Sequence, residues 1–268
     1  MNTEKENLVS VFQDTMERCK SNAELNAAVK KSLKDQYIVR DGTELLLKEH
    51  THTAHCEIVV SRRRTIEAAE QFKNKKVCVL NFASSKNPGG GVVKGAKAQE
   101  ECICRITTLY PCLSDENIMN GFYLPHRTMF SDTLYNDDLI FTPDVICFKT
   151  DTASPVLRPD DEWFKVNVIT CASPNLGAYT KVSDGELEKI QYKRLERVFI
   201  TAVNEGADVL ILGAFGCGAF RNPPKVVAKV MKQLTDKYSR YFSVIEFAVY
   251  CSPKNTRNYD AFREIFGG

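Results

Sequence analysis

A glutamine and two glutamates, Gln99, Glu100 and Glu101, follow three consecutive glycines, Gly89, Gly90 and Gly91, after seven intervening residues. Glycine, lacking a Cβ, takes positive φ readily and lets backbone N–H groups approach an anion, so the triplet fits a cradle for phosphate oxygens. The two carboxyl groups would then face whatever the phosphates hold in place. Just upstream, residues 76–82 read KVCVLNF, a valine-rich apolar run ending in a polar residue, which predicts a strand buried on both faces. The glycines therefore sit at a strand's carboxyl end, where open α/β sheets place their ligands.

A second glycine loop, GAFGCGAF at residues 213–220, follows a predicted strand over 208–212 and precedes a helix opening near Pro223. With both strands near the centre of one sheet, the loops would face each other and grip a diphosphate with backbone amides and a helix N-terminus. Taken singly, each loop is as readily a tight strand-to-helix turn, and a Glu-rich first turn is more often a solvated helix start. The two loops together with the acidic pair favour the binding reading.

The GGG triplet, its spacing to QEE, ITCASPN at residues 169–175 and GAFGCGAFRNPP at residues 213–224 occur in the order of the poly(ADP-ribose) glycohydrolases, and the chain resembles their compact bacterial-type members. The resemblance runs from about Val77 to the C-terminus and fades toward residue 1. It implies an α/β fold, a macrodomain-like three-layer αβα arrangement with a mixed central sheet. Residues 1–50 would be a helical extension and residues 51–268 the core of a single domain. It also implies hydrolysis of the ribose–ribose O-glycosidic bonds of poly(ADP-ribose) to release ADP-ribose, without a metal or organic cofactor.

Carried over by resemblance, Glu101 is the catalytic acid, while Glu100 and Gln99 position ribose hydroxyls and the leaving strand. Asn81 matches a polar residue at the start of the segment. Ser84 stands where many macrodomains carry asparagine, so either Ser84 or Asn87 takes the distal-ribose contact. Gly213, Gly216, Cys217, Gly218 and Ala219 supply the second loop, and Phe220 matches an aromatic that holds the distal ribose. Tyr259 or Phe262 on the last helix could stack on adenine, although an aromatic on a final helix is more often core and Phe220 reads equally well as core.

The chemistry agrees with these roles. Cleaving an O-glycosidic bond requires protonation of the leaving oxygen and stabilisation of an oxocarbenium-like ribose, and one carboxyl can donate the proton and then, as carboxylate, activate water. Adjacent residues on a helix point about 100° apart, which favours one acid and one hydroxyl binder over a two-carboxylate mechanism. The helix dipole favours the anion in a first turn, so an acid role needs desolvation or the substrate diphosphate to raise the pKa. Two rival readings use the same binding half of the site: a non-enzymatic ADP-ribose reader, and a hydrolase of another ADP-ribose conjugate on protein or nucleic acid.

The elements that must position these groups follow from periodicity. Residues 5–19 and 23–35 have helical apolar spacing, separated by Ser21 and Asn22 as stop and cap. Predicted strands cover 56–60, 76–82, 166–171, 208–212 and 244–251, with extended segments over 138–149 broken by Pro143. Predicted helices cover 65–72, a stretch from Ala98 ending before Pro111, 183–204 with a cap-like SDGE, 223–238 and 255–266. This alternation predicts a mixed or largely parallel sheet with helices on both faces.

Composition sets the outer bounds. At 268 residues the chain can bury a substantial core, and a formal charge of +2 gives no ground for general nucleic-acid binding. Arg62, Arg63 and Arg64 read as a solvated helix start, and Asp137 and Asp138 as a turn. Ten scattered cysteines without a CxxC pair read as buried free thiols, and the charged N-terminus is no secretory signal, so a soluble, reducing, cytoplasmic location is expected. His50, His52 and His55 lack zinc-site spacing. The resemblance implies poly(ADP-ribose) or an ADP-ribosylated protein as partner and ADP-ribose as product; no membrane contact and a monomeric enzyme are expected.

Overall fold

The computed structural model describes residues 2–48, 55–128, 133–178 and 181–267; His50 and His52 lie outside the described residues. Its centre is a seven-stranded mixed sheet in the order β1-β4-β5-β3-β6-β7-β2. The strands are β1 (Tyr37–Val39), β2 (Glu57–Ser61), β3 (Val77–Phe82), β4 (Leu139–Cys147), β5 (Phe164–Cys171), β6 (Val209–Leu212) and β7 (Val244–Ala248). β1 and β5 pair antiparallel with β4, and all other pairings are parallel.

Strand alternation divides the core between two faces. Cys78 and Leu80 of β3, Leu210 of β6 and Phe247 of β7 join Leu195 and Phe199 of helix α8 (Asp184–Asn204) and Met231 of α9 (Pro224–Tyr238). α10 (Arg257–Phe266) adds Phe262 to that face. The intervening residues Val77, Val79, Val209 and Ile211 join Phe12 of α1 (Asn2–Ser21), Ile66 of α3 (Thr65–Glu70) and Ile103 of α4 (Gln99–Ile106). α2 (Ala23–Asp35) closes a third cluster with Leu25 and Val29 against Phe148. The chain is thus a three-layer α/β protein, and β3, which carries the first glycine loop, lies between β5 and β6 at its centre.

Local signals hold closely at most boundaries. Asn22 caps α2, its side chain accepting from the N–H groups of Glu24 and Leu25, and Ser183 with Glu186 forms a capping box on α8. Pro143 does not break β4: a bulge between Thr142 and Val145 takes up the proline and the left-handed Asp144. The helix after Ala98 ends at Ile106, not at Pro111, which instead lies in the first turn of α5 (Leu109–Leu113), where a missing N–H costs nothing. The following segment holds α6 (Glu116–Ile118), a π-helical turn (Met119–Tyr123) and α7 (Leu124–Thr128), none of which periodicity announced. The first fifty residues are not wholly helical, because they also supply edge strand β1.

Asp137 lies at a bend, as expected, but is buried. Its carboxylate is buried between Arg194 Nε at 2.9 Å and Lys193 Nζ at 2.7 Å, tying the start of β4 to α8. The ten cysteines are all free thiols; Cys102, Cys217 and Cys251 are partly exposed, and burial pushes Cys112 and Cys171 up to about 12.

Candidate active site

β3 ends in Asn81 and Phe82, and two groups in the first turn of α4 fold back onto that end. Gln99 spends its amide on the strand: its Oε1 accepts from Phe82 N–H at 2.8 Å, and its Nε2 donates to the Leu80 carbonyl at 2.7 Å and to Thr65 Oγ1 at 3.0 Å. This latch fixes the start of α4 relative to β3 and leaves Gln99 few free polar atoms. Glu100, 3 % exposed, accepts from Ser84 N–H at 2.7 Å and from Asn81 Nδ2 at 3.4 Å. Asn81 itself is fully buried and also donates to Thr170 Oγ1 at 3.2 Å, so it acts from beneath the site.

Glu101 is 8 % exposed, and its Oε1 accepts from Gly91 N–H at 2.9 Å. Its Oε2 is buried without a hydrogen-bond partner. The glycine triplet forms a backbone nest, but what it holds is the chain's own carboxyl groups. Gly89 and Gly90 have φ of +63° and +58°; Gly91 N–H serves Glu101, and Gly90 N–H closes the turn on the Asn87 carbonyl at 3.0 Å. These amides are therefore already committed, in contrast to the expectation that all three glycines grip phosphate.

The second loop has the free amides. Among the described residues, the N–H groups of Gly216, Gly218, Ala219 and Phe220 have no intramolecular acceptor, whereas those of Phe215, Cys217, Arg221 and Asn222 close turns within the loop. Gly216, with φ +73°, has no room for a Cβ, which would overlap Ser173 Oγ and lie 2.6 Å from Asn222 Nδ2. Asn222 in turn donates to the Pro174 and Gly216 carbonyls, so the loop is held rigid from behind. Such pre-oriented, unspent amides are what a diphosphate needs.

A cavity of about 580 Å³ joins the two halves, lined by Phe82, Ser84, Gly90, Gln99, Glu100 and Glu101 on one side and by Gly216, Gly218, Ala219 and Phe220 on the other. The volume suits a ligand of nucleotide size. Other expected residues lie outside it. Asn87 is exposed, its Oδ1 facing Arg127 at 3.5 Å. Cys217 packs against the core below its loop, and Gly213 is wedged where a Cβ would meet the Ala248 carbonyl oxygen at 2.7 Å.

The expected adenine platform is also displaced. Tyr259 stacks under Arg62, 4.5 Å from the ring centroid, and does not line the cavity, while Phe262 is core. Besides Phe82 and Phe220, the cavity is lined by Tyr250, 57 % exposed, just beyond β7, with the Arg64 guanidinium 4.1 Å above its ring. Arg64 is therefore a wall of the cavity and not a solvated helix start. The signal that locates both loops, a strand's carboxyl end, also applies to Tyr250 after β7.

Burial pushes the Glu100 carboxyl up to about 8; the Ser84 amide opposes this and the adjacent Glu101 reinforces it. The shift favours the protonated form of Glu100. Because the folded pKa lies above the ordinary 4.5, the unfolded chain loses this proton first, and stability falls as pH rises from about 4.5 to about 8. Glu100→Gln, which cannot ionise, will escape that loss. Its melting temperature relative to the parent chain should climb between pH 5 and pH 8. Parallel melting curves across that range would show Glu100 to be ionised in the folded protein.

The comparisons with known proteins agree with this geometry. The family described as "Microbial-type PARG, catalytic domain" matches residues 5–150, which hold β3, the glycine triplet and the QEE turn. The poly(ADP-ribose) glycohydrolase (PARG) structure from Thermomonospora curvata superposes with a TM-score of 0.87 at 27% identity, covering 97% of this chain and all of that one. A second structure of that enzyme, bound to the inhibitor ADP-HPD, gives a TM-score of 0.84 at 26% identity, with coverage of 97% and 100%. The Deinococcus radiodurans enzyme in complex with ADP-ribose gives 0.71 at 31% identity, covering 91% of this chain and 92% of that one. No curated protein sequence matches. The match across more than half of the sequence confirms the resemblance first seen in GGG and QEE: this chain belongs to the microbial-type PARG catalytic-domain family.

Proposed function

We propose that this chain is a poly(ADP-ribose) glycohydrolase in which Glu101 moves the catalytic proton. The observation that carries the reading is Glu101 Oε2, buried and unbonded on a cavity whose opposite wall presents unspent backbone amides. A diphosphate held by residues 216–220 brings the adjoining ribose beside α4. Phe220 packs the sugar against the carboxyl group. Oε2 protonates the oxygen that leaves as the ribose–ribose bond breaks, and the resulting carboxylate takes a proton from the water that adds to the anomeric carbon.

Glu100, its protonated form favoured, offers a hydroxyl-binding carboxyl beside Glu101, and Gln99 and Asn81 position the two glutamates. Tyr250 with Arg64 above it supplies the π-face for adenine. Residues 1–268 act as one catalytic domain, and because both loops and both glutamates come from one chain, a monomer suffices. Among the described residues no helix is long and apolar enough to cross a membrane, and ten free thiols suit a reducing compartment.

The test is to incubate purified protein with defined poly(ADP-ribose) and, in parallel, with a mono-ADP-ribosylated peptide, quantifying free ADP-ribose by chromatography. The polymer should be degraded far faster than the peptide conjugate. Calorimetric binding of ADP-ribose without shortening of the polymer would make the chain a reader. Faster release from the peptide would make it a hydrolase of a different conjugate.

A further inference from the structure

Arg105 is 1 % exposed, and among the described residues no carboxylate pairs with it. Its Nε donates to the Leu8 carbonyl of α1 at 3.2 Å and its Nη2 to the Ala96 carbonyl, in the segment joining the glycine triplet to α4. Its own carbonyl accepts from Thr15 of α1. A buried guanidinium satisfied only by carbonyls is a costly way to join apolar surfaces that leucine or methionine would join as well. What the planar fork adds is geometry, because it fixes two backbone segments at once relative to α4. Four residues earlier on the same helix, about 6 Å along its axis, stands Glu101.

The rest of α1 bears on the same loop. Gly95, φ +72°, lies so close beneath α1 that a Cβ would meet the Lys5 carbonyl oxygen at 2.7 Å. Phe12 packs edge-on against Tyr110 at 4.8 Å, and Tyr110 is the wall that leaves Gly89 no room for a Cβ. Lys149, buried, donates to the Val11 carbonyl at 2.8 Å and pairs with Asp14 at 2.8 Å, which anchors the helix to the end of the β4 segment. Sequence periodicity leaves open whether the N-terminal helices cover the sheet or bind a partner. These contacts pack α1 against the catalytic turn, where its Glu4 and Leu8 also line the cavity.

From this arrangement we propose that α1 is part of the catalytic apparatus, clamping residues 89–98, and that Arg105 is the positioning residue through which it holds Glu101 in register with Gly91. The inference rests on Glu101 being the proton carrier proposed above. With the clamp loosened, the Gly91 amide and Glu101 Oε1 separate and Oε2 loses its aim, while the second loop keeps its amides for the diphosphate. The expected signature is therefore a loss in kcat with ADP-ribose affinity kept.

Arg105→Lys in the full chain retains the charge but cannot hold both carbonyls. It should speed amide exchange at residues 89–98 about tenfold or more, and lower kcat on poly(ADP-ribose) about 10²-fold, with calorimetric ADP-ribose affinity little changed. Gly95→Ala pushes on α1 from the loop side and should give the same pattern; it decides the matter if Arg105→Lys does not fold. Unchanged exchange over residues 89–98 in a folded variant overturns the proposal, as does a loss of rate and affinity in equal proportion. The exchange measurement needs no turnover, so an inactive parent chain would count against the glycohydrolase reading and not against the clamp.

Discussion

Glu101→Gln is expected to lower the rate of ADP-ribose release about 10³-fold while leaving ADP-ribose affinity within about tenfold, because general acid–base transfer is worth that order and the amide cannot perform it. The substitution is close to isosteric. The carbonyl oxygen of the substituted side chain can keep the hydrogen bond from Gly91 N–H that Glu101 Oε1 accepts at 2.9 Å, so the glycine turn keeps its shape. The amide nitrogen then occupies the position of Oε2, where the buried oxygen has no protein partner to lose. Nothing in the second loop changes, so on the proposed reading its free amides remain available to the diphosphate. Initial rates on polymer and calorimetric titration with ADP-ribose measure the two halves separately. Equal loss of rate and affinity would mean that Glu101 binds and does not transfer a proton, and the role would pass to Glu100.

Glu100→Gln provides the contrast. Its carboxyl is enclosed by Ser84 N–H and Asn81 and faces the strand end, so the effect is foreseen chiefly in stability against pH. Neighbours in the same turn thus divide the work by environment. Both line the cavity, but Ser84 and Asn81 tie Glu100 to the end of β3, whereas Glu101 keeps one oxygen without a partner.

Much of this was legible in sequence because it depends on short-range rules. Valine-rich runs marked strands buried on both faces, Asn22 and the SDGE turn marked helix starts, and glycine-rich turns at strand ends located both loops. What could not be read depends on partners distant along the chain. Spacing puts Gly91 near Glu101 but does not say that the glycine amides turn onto the glutamates instead of outward to phosphate. A helical aromatic such as Tyr259 and a loop aromatic such as Tyr250 look alike until α10 is docked and Arg64 is seen stacked on the latter. Arg64, Asp137 and Arg105 carry charges that a sequence reading assigns to solvent by default, and only long-range contacts with Tyr250, Arg194 and Leu8 reveal them as structural.

The sharpest probe of the two carboxylates together is Gly90→Ala. With φ at +58°, alanine costs about 1–2 kcal/mol from the backbone alone, a penalty that a chain with a core on both sheet faces should survive. The steric effect is the informative part. A Cβ on residue 90 would lie 2.5 Å from Glu101 Oε1 and 3.1 Å from Glu100 Oε2, so both carboxyl groups must yield. Ser84 and Asn81 hold Glu100 in place, and Glu101, with a single hydrogen bond from Gly91, gives way first. Displacement by about 1 Å is enough to cost about 10²-fold in rate. The variant should therefore remain folded by circular dichroism, melt a few degrees lower, and hydrolyse polymer at about a hundredth of the parent rate. Full activity in a folded Gly90→Ala protein would mean that the glycine turn does not aim Glu101, and the nest of amides around the two glutamates would then have only a structural role.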